Sequence, residues 1–362
     1  MIEPLLQTAF HAWHREHGGR LVDFAGWDMP VQYTSITEEH TAVRTSVGLF
    51  DIAHMGRLVF GGPDASGLLD RLVTNDVASI ACGQVRYALV CREDGGILDD
   101  VLVYRFQDDY LLVVNASNRL KIVEWIESHQ GGYDVEVLDR TLEWVMVAVQ
   151  GPAALDEVAA VTDVDVSTMG YYRCAAGDVM GHPGRVSRTG YTGEDGFELI
   201  VPGEAGPALW ERLLESGDVM ACGLGCRDTL RLEAAMPLYG HELDEQTDPY
   251  TAGLGFAVKA DAAEFIGREA VIGARDRTDR MKRVGLKLEG RRIGREGAEV
   301  FSGETRVGEV TSGTFSPTLE LAIAMAYVDP ASAEVGTALE VDIRGKRVAA
   351  EVVQLPFYRR ES

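Results

Sequence analysis

Two adjacent carboxylates open an otherwise apolar strand in the segment GGILDDV, residues 95–101. Successive residues of a strand face opposite sides, so Asp99 and Asp100 do not share a face. One of them would point inward beside Leu102 and Tyr104, where a charge is costly unless it is hydrogen-bonded or functional. A solvated turn carboxylate after the two glycines is the alternative, and residue spacing alone does not separate these interpretations.

A second candidate is the glycine-rich segment RTGYTGEDGFE, residues 188–198. Its glycines let the backbone approach a ligand closely, and polar groups stand between them. Glu198 ends the segment and begins an apolar strand over residues 199–201. An ordinary hairpin with glycine-rich turn chemistry explains the same pattern, and without other information the pattern favours the hairpin.

Two arginines, Arg227 and Arg231, stand four residues apart on a predicted helix. Arg227 follows the short segment GLGC and lies near the helix N-terminus, the end of the helix dipole that already favours anions. The pair is therefore a candidate for binding an anion. The alternative is an exposed pair held by Asp228 or Glu233.

Three histidines, His11, His14 and His17, have a spacing that could place them on one helical face as zinc ligands. They flank Trp13 among polar residues near an end of the chain, so we expect no metal site.

The sequence has no phosphate-binding GxxxxGK[ST] loop, no GxGxxG between a strand and a helix, and no GxSxG elbow. These motifs give no support for a P-loop, a Rossmann site or a serine hydrolase.

The composition of the 362 residues, 46% hydrophobic and 25% charged, excludes disordered, collagen-like and small disulfide-stapled proteins. Lys and Arg number 34 and Asp and Glu number 57, so the net charge is −23. A chain this acidic repels a phosphate backbone, so we expect no nucleic-acid partner.

No signal peptide and no apolar run long enough to span a membrane are visible. Five cysteines without a C-x-x-C pair are typical of reduced thiols in a cytoplasmic protein.

Residues 57–138 predict a compact unit with the order β-α-β-β-β-α-β. Asp64 and Ser117 stand where they could cap its two helices. Its strands are predicted at residues 57–60, 85–90, 97–106, 110–114 and 135–137. This order indicates an open α+β sandwich of the ferredoxin-like kind.

A second αβ block is predicted between about residues 140 and 245. It contains a strand at 145–149, a helix opened by Gly151 and Pro152, a helix around Trp210, and a helix at 227–236. An arginine- and aspartate-rich stretch near residue 275 indicates a linker or an exposed helix end. Alternating runs then predict an all-β module of barrel or jelly-roll type, at residues 284–288, 299–301, 305–309, 322–328 and 338–343.

Taken together, these segments resemble the aminomethyltransferase family, the T-protein of the glycine cleavage system. The matches follow one another over essentially the whole chain, and this order is far more specific than any one motif. They are VDFAGWDMP (22–30), GLFDIAHMG (48–56), GGILDD (95–100), RTGYTGEDGFE (188–198), RDTLRLEA (227–234), TSGTFSP (311–317) and PFYR (356–359). Two positions depart from the family pattern, since Ala53 replaces the usual Ser and Phe256 replaces the Trp of many members.

The resemblance implies a three-domain, cloverleaf-like α+β fold with tetrahydrofolate in a central channel. Residues 1–56 and 139–274 would form a discontinuous folate-binding domain, 57–138 the ferredoxin-like domain, and 275–362 a C-terminal β-barrel. The family takes an aminomethyl group from the lipoyl arm of the H-protein, releases ammonia and makes 5,10-methylenetetrahydrofolate. We therefore expect tetrahydrofolate and the lipoylated H-protein as partners, and neither a metal nor a flavin.

The matching positions also imply roles for individual residues. Asp100 matches the carboxylate beside the reacting folate nitrogens, Glu198 the carboxylate that recognises the pterin ring, and Arg227 the arginine near the folate. This agrees with the physical chemistry, because a carboxylate can accept two N–H groups of the pterin edge and an arginine suits the glutamate tail. Further positions expected at the pocket or its entrance are Tyr87, Tyr191, Tyr239, Asn115, Met55 and Arg359.

Other functions of the same fold remain to be distinguished. A tetrahydrofolate-dependent methyltransferase or demethylase acting on a small donor, such as a sulfonium compound, is the principal alternative. Folate-binding relatives with a role in iron–sulfur assembly carry K-G-C-x-G-Q-E where this chain has GCRDTLR, residues 225–231. The folate half of an amine dehydrogenase would require a fused flavin domain, for which this chain has no room.

Overall fold

The computed structural model describes residues 4–262 and 264–360. In this part of the chain the α-helices are α1 His11–Glu16, α2 Ile36–Thr45, α3 Ala65–Leu72, α4 Arg119–His129, α5 Ala154–Ala159, α6 Gly206–Leu214, α7 Leu224–Glu233 and α8 Arg268–Arg275. The strands are β1 Arg20–Phe24, β2 Trp27–Gln32, β3 Val47–Asp51, β4 Gly56–Gly61, β5 Val85–Cys91, β6 Ile97–Arg105, β7 Tyr110–Val114, β8 Glu136–Asp139, β9 Trp144–Gln150, β10 Cys174–Val179, β11 His182–Ser187, β12 Gly196–Pro202, β13 Val219–Cys222, β14 Lys282–Leu288, β15 Glu299–Ser302, β16 Thr305–Ser316, β17 Leu321–Val328, β18 Ala338–Asp342 and β19 Arg347–Val353.

None of the helices in the described ranges combines the length and the apolar character needed to cross a membrane. The first three residues, part of the N-terminus for which the sequence predicts no signal peptide, lie outside the described residues.

The chain divides into two compact units according to its internal contacts. The first unit comprises Met1–Ala88, Asp100–Gly190 and Glu194–Arg227, and the second comprises Leu89–Asp99, Tyr191–Gly193 and Asp228–Ser362. The division of the chain into three domains, expected from the resemblance, stays a prediction.

A six-stranded sheet forms the centre of the first unit, in the order β10-β11-β12-β9-β3-β13. Its neighbouring strands run antiparallel except for β13, which lies parallel to β3. Strand β9 is buried over six of its seven residues, as expected for a central strand covered on both faces. Helix α6 buries Leu209, Trp210 and Leu213 in the same core as residues of β9 and β12.

The elements predicted between residues 57 and 138 are found in the predicted order, as β4-α3-β5-β6-β7-α4-β8. Their strands form a sheet in the order β5-β6-β7-β4-β8. Of the two predicted helix caps, Asp64 occupies the N-cap position of α3 but does not cap it through its side chain, and the prediction for Ser117 is wrong. Asp64 precedes α3, but its carboxylate accepts the backbone N–H of Asp134 at 2.8 Å and makes no capping hydrogen bond. Ser117 lies inside a 3-10 turn, Ala116–Asn118, that precedes α4.

In the second αβ block the predicted strand is β9, and the three predicted helices are α5, α6 and α7. Helix α7 ends at Glu233 rather than at residue 236. The reason is local, because Ala235 has a φ of 56°, in the left-handed region, which a right-handed helix cannot continue through. The arginine-rich stretch near residue 275 begins at the C-terminal end of α8, as one of the two interpretations predicted.

The C-terminal strands close into a six-stranded barrel, in the order β14-β17-β16-β15-β18-β19. All five strands predicted there are present, and β16 runs on to Ser316, well beyond its predicted end. The sixth strand, β19, was not predicted; it pairs with both β18 and β14 and so closes the barrel. Alternate residues such as Leu286, Val310 and Ala324 fill the interior. The predicted α+β class with a C-terminal barrel is therefore confirmed.

Candidate active site

Asp100 lies on β6 with its side chain half-buried and held by two neighbours in the first unit. The Tyr87 hydroxyl donates to Oδ2 at 3.1 Å, and the Asn115 amide donates to Oδ1 at 2.8 Å. The same amide nitrogen also lies 3.2 Å from the backbone carbonyl of Asp100. Each carboxylate oxygen thus has a donor, and the group is fixed in one orientation while part of it stays accessible.

Strand register explains why Asn115 reaches Asp100. Strands β6 and β7 run antiparallel, with Leu102 opposite Val113. Two residues further along each strand, this register brings Asp100 opposite Asn115, the first residue after β7. The cluster is therefore built by a hairpin that the sequence predicts.

The two adjacent aspartates differ in burial in a way that the sequence did not predict. Asp99 is fully buried at 0% exposure, together with its strand neighbours Val101 and Val103. Asp100 is only half-buried, although Tyr104 on its own side of the strand is 1% exposed. The solvated-turn alternative is wrong for Asp99, and the carboxylate implied by the resemblance is the more accessible of the pair.

Glu198 is the second carboxylate of the site and is 6% exposed. It is the third residue of β12, opposite Ser187 on β11 and Ala148 on β9. Its Oε2 atom accepts hydrogen bonds from Thr189 Oγ1 and from the Tyr104 hydroxyl, the latter at 3.3 Å. Burial raises the pKa of Glu198. The hydrogen bond from Thr189, the positive charge of Arg227 and the hydrogen bond from Tyr104 lower this pKa, but they offset only part of the effect of burial.

The loop before Glu198 joins β11 to β12, as the hairpin interpretation predicts. Arg188 and Asp195 close it with two hydrogen bonds, at 3.0 and 2.5 Å. A Cβ atom at residue 190 would lie 1.9 Å from Oε1 of Gln150, so a larger residue there would displace this buried amide. Gln150 in turn donates to the carbonyl of Thr189 at 3.0 Å. Gln150 thus holds the backbone of Thr189, whose hydroxyl donates to Glu198.

Arg227 is the fourth residue of α7 and is half-buried. Its positive charge lowers the pKa of Glu198 and, more weakly than burial does, that of His54. Arg231, four residues later, lies in the second unit and is buried at 2% exposure. It pairs with Asp228 and with Glu242, each at 2.8 Å. The alternative of an exposed arginine pair is therefore wrong as to burial, although Arg231 does pair with Asp228 as that alternative supposed. Within the first unit, Arg227 acts electrostatically on Glu198.

Met55 follows a turn that is fixed from the N-terminal part of the first unit. Asp51 accepts from the backbone N–H of Ala53 at 2.8 Å and from Thr8 at 2.6 Å, and its Oδ2 lies 3.0 Å from Nε2 of His14. His54, next to Met55, is 2% exposed and its Nδ1 has no partner among the described residues. Burial lowers the pKa of His54 to about 4, so the imidazole is neutral near pH 7.

Three residues implied by the resemblance belong to the second unit. The Tyr191 hydroxyl donates to the carbonyl of Pro237, and the Tyr239 hydroxyl donates to the carbonyl of Ile97 at 3.1 Å. Arg359 is exposed near the C-terminus. The roles expected for these three residues stay predictions.

In the described part of the chain, no two of the three N-terminal histidines share a hydrogen-bond partner. His11 lies 2.7 Å from Asp28, His14 contacts Asp51 and Tyr33, and His17 bonds to the carbonyl of Trp13. Each imidazole therefore has a separate structural contact.

The one group in the described ranges with the spacing of a metal site is Glu39, Cys222 and Cys226. Both Glu39 oxygens already accept backbone N–H groups, from Tyr33 and Thr34 on one side and from Gly223 on the other. Burial raises the pKa of Cys226 well above its usual value, so it stays a thiol. Hydrogen bonds to three backbone N–H groups thus already account for the position of the Glu39 carboxylate.

Sequence reasoning missed two residues of the site, the ones that contact Glu198. Thr189 lies within the glycine-rich motif, but nothing in its spacing marks it as a partner of Glu198. Tyr104 carried a weak signal, because it stands four residues after Asp100 on the same strand and so on the same face.

Comparison with known proteins places this geometry in context. The chain matches the family model described as the GCVT N-terminal domain over residues 10–262 and the glycine cleavage T-protein C-terminal barrel domain over residues 282–359. It is 48% identical to an aminomethyltransferase of Streptomyces coelicolor, covering 99% of this chain and 98% of that protein. An aminomethyltransferase of Rubrobacter xylanophilus is 51% identical, with 99% and 95% covered. The solved glycine cleavage system aminomethyltransferase T of Bartonella henselae superposes with a TM-score of 0.92 at 35% identity, over 98% of each chain.

Proposed function

The chain belongs to the glycine cleavage T-protein family, and from this premise we propose that the cluster around Asp100, Glu198 and Arg227 is its tetrahydrofolate site. The chain is a tetrahydrofolate-dependent aminomethyltransferase of the glycine cleavage system. What we propose is where the folate binds and which residues act on it.

In the proposed reaction the donor is the aminomethyl group on the lipoyl arm of the H-protein, and the acceptor is tetrahydrofolate. The carbon loses its bonds to sulfur and to the amine nitrogen, and it gains bonds to the two folate nitrogens. The two protons released by those nitrogens go to the lipoyl sulfur and to the departing ammonia. The products are 5,10-methylenetetrahydrofolate, ammonia and the dihydrolipoyl H-protein, so no electrons are transferred to an external acceptor. We propose that the reaction occurs in the cytoplasm, where reduced thiols are usual.

Glu198 is proposed to recognise the pterin ring. A carboxylate can accept two N–H groups presented side by side, and such charge-assisted hydrogen bonds are stronger than neutral ones. Among the described residues, the two hydrogen bonds that the Glu198 side chain accepts both reach Oε2, and we assign Oε1 to the pterin. Arg227 supports this role because its charge favours the ionised form of Glu198.

Asp100 is proposed to act on the reacting folate nitrogens. When a folate nitrogen attacks the methylene carbon, positive charge develops on that nitrogen and a proton must leave. A carboxylate held beside it can orient the nucleophile, stabilise the charge and accept the proton. The observation that carries this proposal is the convergence of Tyr87 and Asn115 on the half-buried carboxylate of Asp100, which fixes its direction before substrate binds.

Assays with two donor classes test the proposal. We expect the purified protein to form 5,10-methylenetetrahydrofolate from aminomethylated H-protein, and to turn over small sulfonium or methylamine donors far more slowly. Rapid turnover of a small donor together with no turnover of aminomethylated H-protein would instead support a methyltransferase or demethylase. The same assay with Asp100→Asn separates the role of that carboxylate from folate binding.

A further inference from the structure

Three buried hydroxyl groups surround one oxygen of Glu198: two form a chain that ends at this oxygen, and the third donates to it directly. The Ser187 and Thr189 hydroxyls lie 2.8 Å apart, and Thr189 and Tyr104 both donate to Oε2. Ser187 is 4% exposed, and Thr189 and Tyr104 are each 1% exposed, so water does not substitute for them. Because the single hydrogen of Thr189 goes to Glu198, Ser187 must be the donor in the first hydrogen bond.

This arrangement stabilises the ionised carboxylate more than the protonated carboxyl group. Two donors on one oxygen stabilise negative charge there, and a donor chain strengthens its last hydrogen bond. Burial and the charge of Glu198 raise the pKa of Tyr104 well above its usual value, so its phenol remains a donor. The hydroxyls therefore offset part of the cost of burying the charge of Glu198.

The charged and titratable groups around Glu198 come from several elements. Arg227 from α7 favours its ionised form, together with Tyr104 from β6. Tyr172, in the turn before β10, is close enough for Glu198 to raise its pKa, although burial is the larger cause. Strand β9 places only the apolar Ala148 opposite Glu198. No second carboxylate is among the groups found to act on Glu198 in the described part of the chain.

We propose that Thr189 and Tyr104 are positioning residues for the aminomethyltransferase reaction, which hold Oε2 of Glu198 and keep the carboxylate ionised with Oε1 turned to the pterin. The inference rests on the proposed function, in which Glu198 recognises the pterin ring. It adds that recognition depends on two hydroxyls that need not touch the folate. A protonated Glu198 would present an O–H group in place of an acceptor, and the match to two N–H donors would be lost.

Replacing each hydroxyl with an isosteric apolar group tests this inference. The variants are Thr189→Val and Tyr104→Phe, with Thr189→Ser to restore the hydroxyl. Thr162→Val is the matched control, since Thr162 in the same unit donates at 2.7 Å to the carbonyl of Asp178, away from Glu198. Equilibrium binding of tetrahydrofolate is measured from about pH 6 to about pH 8.5, a range in which a raised carboxyl pKa can be titrated.

We expect wild type, Thr189→Ser and Thr162→Val to show little change in folate affinity across this range. Thr189→Val and Tyr104→Phe should bind within a few-fold of wild type at the alkaline end, and about tenfold or more weakly at the acidic end. A merely structural role would weaken binding equally at every pH. Equal weakening, or no weakening, would overturn the inference.

Two further measurements keep the test decisive. Glu198→Gln is titrated in parallel: if it binds folate as wild type does, the proposed role of Glu198 fails. If it binds weakly while Thr189→Val and Tyr104→Phe show no pH dependence, only the positioning inference fails.

Should both apolar variants unfold, infrared difference spectra of the milder Ser187→Ala variant are compared with those of wild type. As the pH is lowered, the carbonyl band of protonated Glu198 should appear at a higher pH in Ser187→Ala than in wild type, and it should be lost in the Ser187→Ala, Glu198→Gln double variant. A band that appears at the same pH in Ser187→Ala and wild type contradicts the inference.

Discussion

The amide of Asn115 contacts Asp100 twice, at 2.8 Å to the carboxylate oxygen Oδ1 and at 3.2 Å to the backbone carbonyl. The Asn115 side chain thus links the Asp100 carboxylate, through hydrogen bonds, to the backbone carbonyl of the same residue. Because the Tyr87 hydroxyl holds the other carboxylate oxygen, Asp100 has little rotational freedom left. A base that is already oriented does not lose entropy when the substrate binds.

Asp100→Asn should reduce turnover much more than folate affinity. The amide keeps the size of the side chain and can still form hydrogen bonds, but it carries no charge and accepts no proton. General-base and electrostatic roles contribute about 10²–10⁴-fold, which corresponds to roughly 3–5 kcal/mol of barrier. Single-turnover assays with aminomethylated H-protein and a folate titration measure the two effects separately.

Asp109→Asn is the matched control for this change. Asp109 is also half-buried and lies in the same hairpin, where it pairs with Arg185 at 2.9 and 2.6 Å. Its turnover should stay close to that of wild type. Asp99→Asn is less suitable, because Asp99 is fully buried and its change should lower the free energy of unfolding. Full activity in Asp100→Asn would remove the catalytic assignment.

Tyr87→Phe should lower turnover by about tenfold, the value of a lost hydrogen bond to a charged group. The phenol holds Oδ2 of Asp100 at 3.1 Å, and without it the carboxylate can rotate away from its productive direction. The ratio of kcat to KM for folate, set beside the folate Kd, is the measurement. A parallel loss in folate affinity of the same size would show that Tyr87 binds the folate directly rather than orienting Asp100.

Arg227→Ala should weaken folate binding. Loss of its charge removes either a contact with the ligand or the support it gives to ionised Glu198, and interactions of this kind are worth roughly 1.5–3 kcal/mol. Equilibrium titration should therefore show a loss of about tenfold or more, and Arg227→Lys, which keeps the charge, should recover part of it. Unchanged affinity in Arg227→Ala would exclude a role for this residue in folate binding.

His54 should make the free energy of unfolding depend on pH. Burial lowers the pKa of His54 from 6.5 to about 4. The charge of Asp51 raises this pKa, and the charges of Arg227 and Arg57 lower it. Below pH 6.5 the unfolded chain therefore binds a proton at His54, whereas the folded chain binds it only near pH 4. The free energy of unfolding has its full value above pH 6.5 and falls as the pH is lowered toward 4, by roughly 3 kcal/mol in total.

Urea unfolding of wild type and His54→Gln between about pH 4 and pH 7 measures this contribution. The slope of unfolding free energy against pH should be shallower in the variant. Identical slopes for His54→Gln and wild type would show that His54 is not held neutral by the fold.

Much of the fold was predictable because its signals are local. Strands β4 to β8 and most of the barrel strands follow from alternating apolar residues bounded by turns. The helix caps show where local signals fail, because the Asp64 carboxylate accepts a hydrogen bond from the distant backbone of Asp134 and not from its own helix. Strand β19 was missed since its sequence, RVAAEVV, has small residues in place of a clear apolar alternation.

The candidate site was predictable to a smaller extent. Asp100, Glu198 and Arg227 were assigned through the resemblance, whereas spacing alone left each of them with an ordinary structural explanation. Thr189 and Tyr104 are 85 residues apart in sequence, yet both contact the same oxygen of Glu198. Contacts of this kind are set by how sheets pack in three dimensions, and no periodicity in the sequence reports them.

A structure of the complex with tetrahydrofolate tests the central claim most directly. The account predicts that the pterin N–H groups lie within hydrogen-bond distance of Oε1 of Glu198, with the reacting folate nitrogens beside the carboxylate of Asp100. Tyr87 and Asn115 should keep their present contacts with Asp100. Folate bound with its pterin ring away from Glu198, or with its reacting nitrogens out of reach of Asp100, would contradict the account.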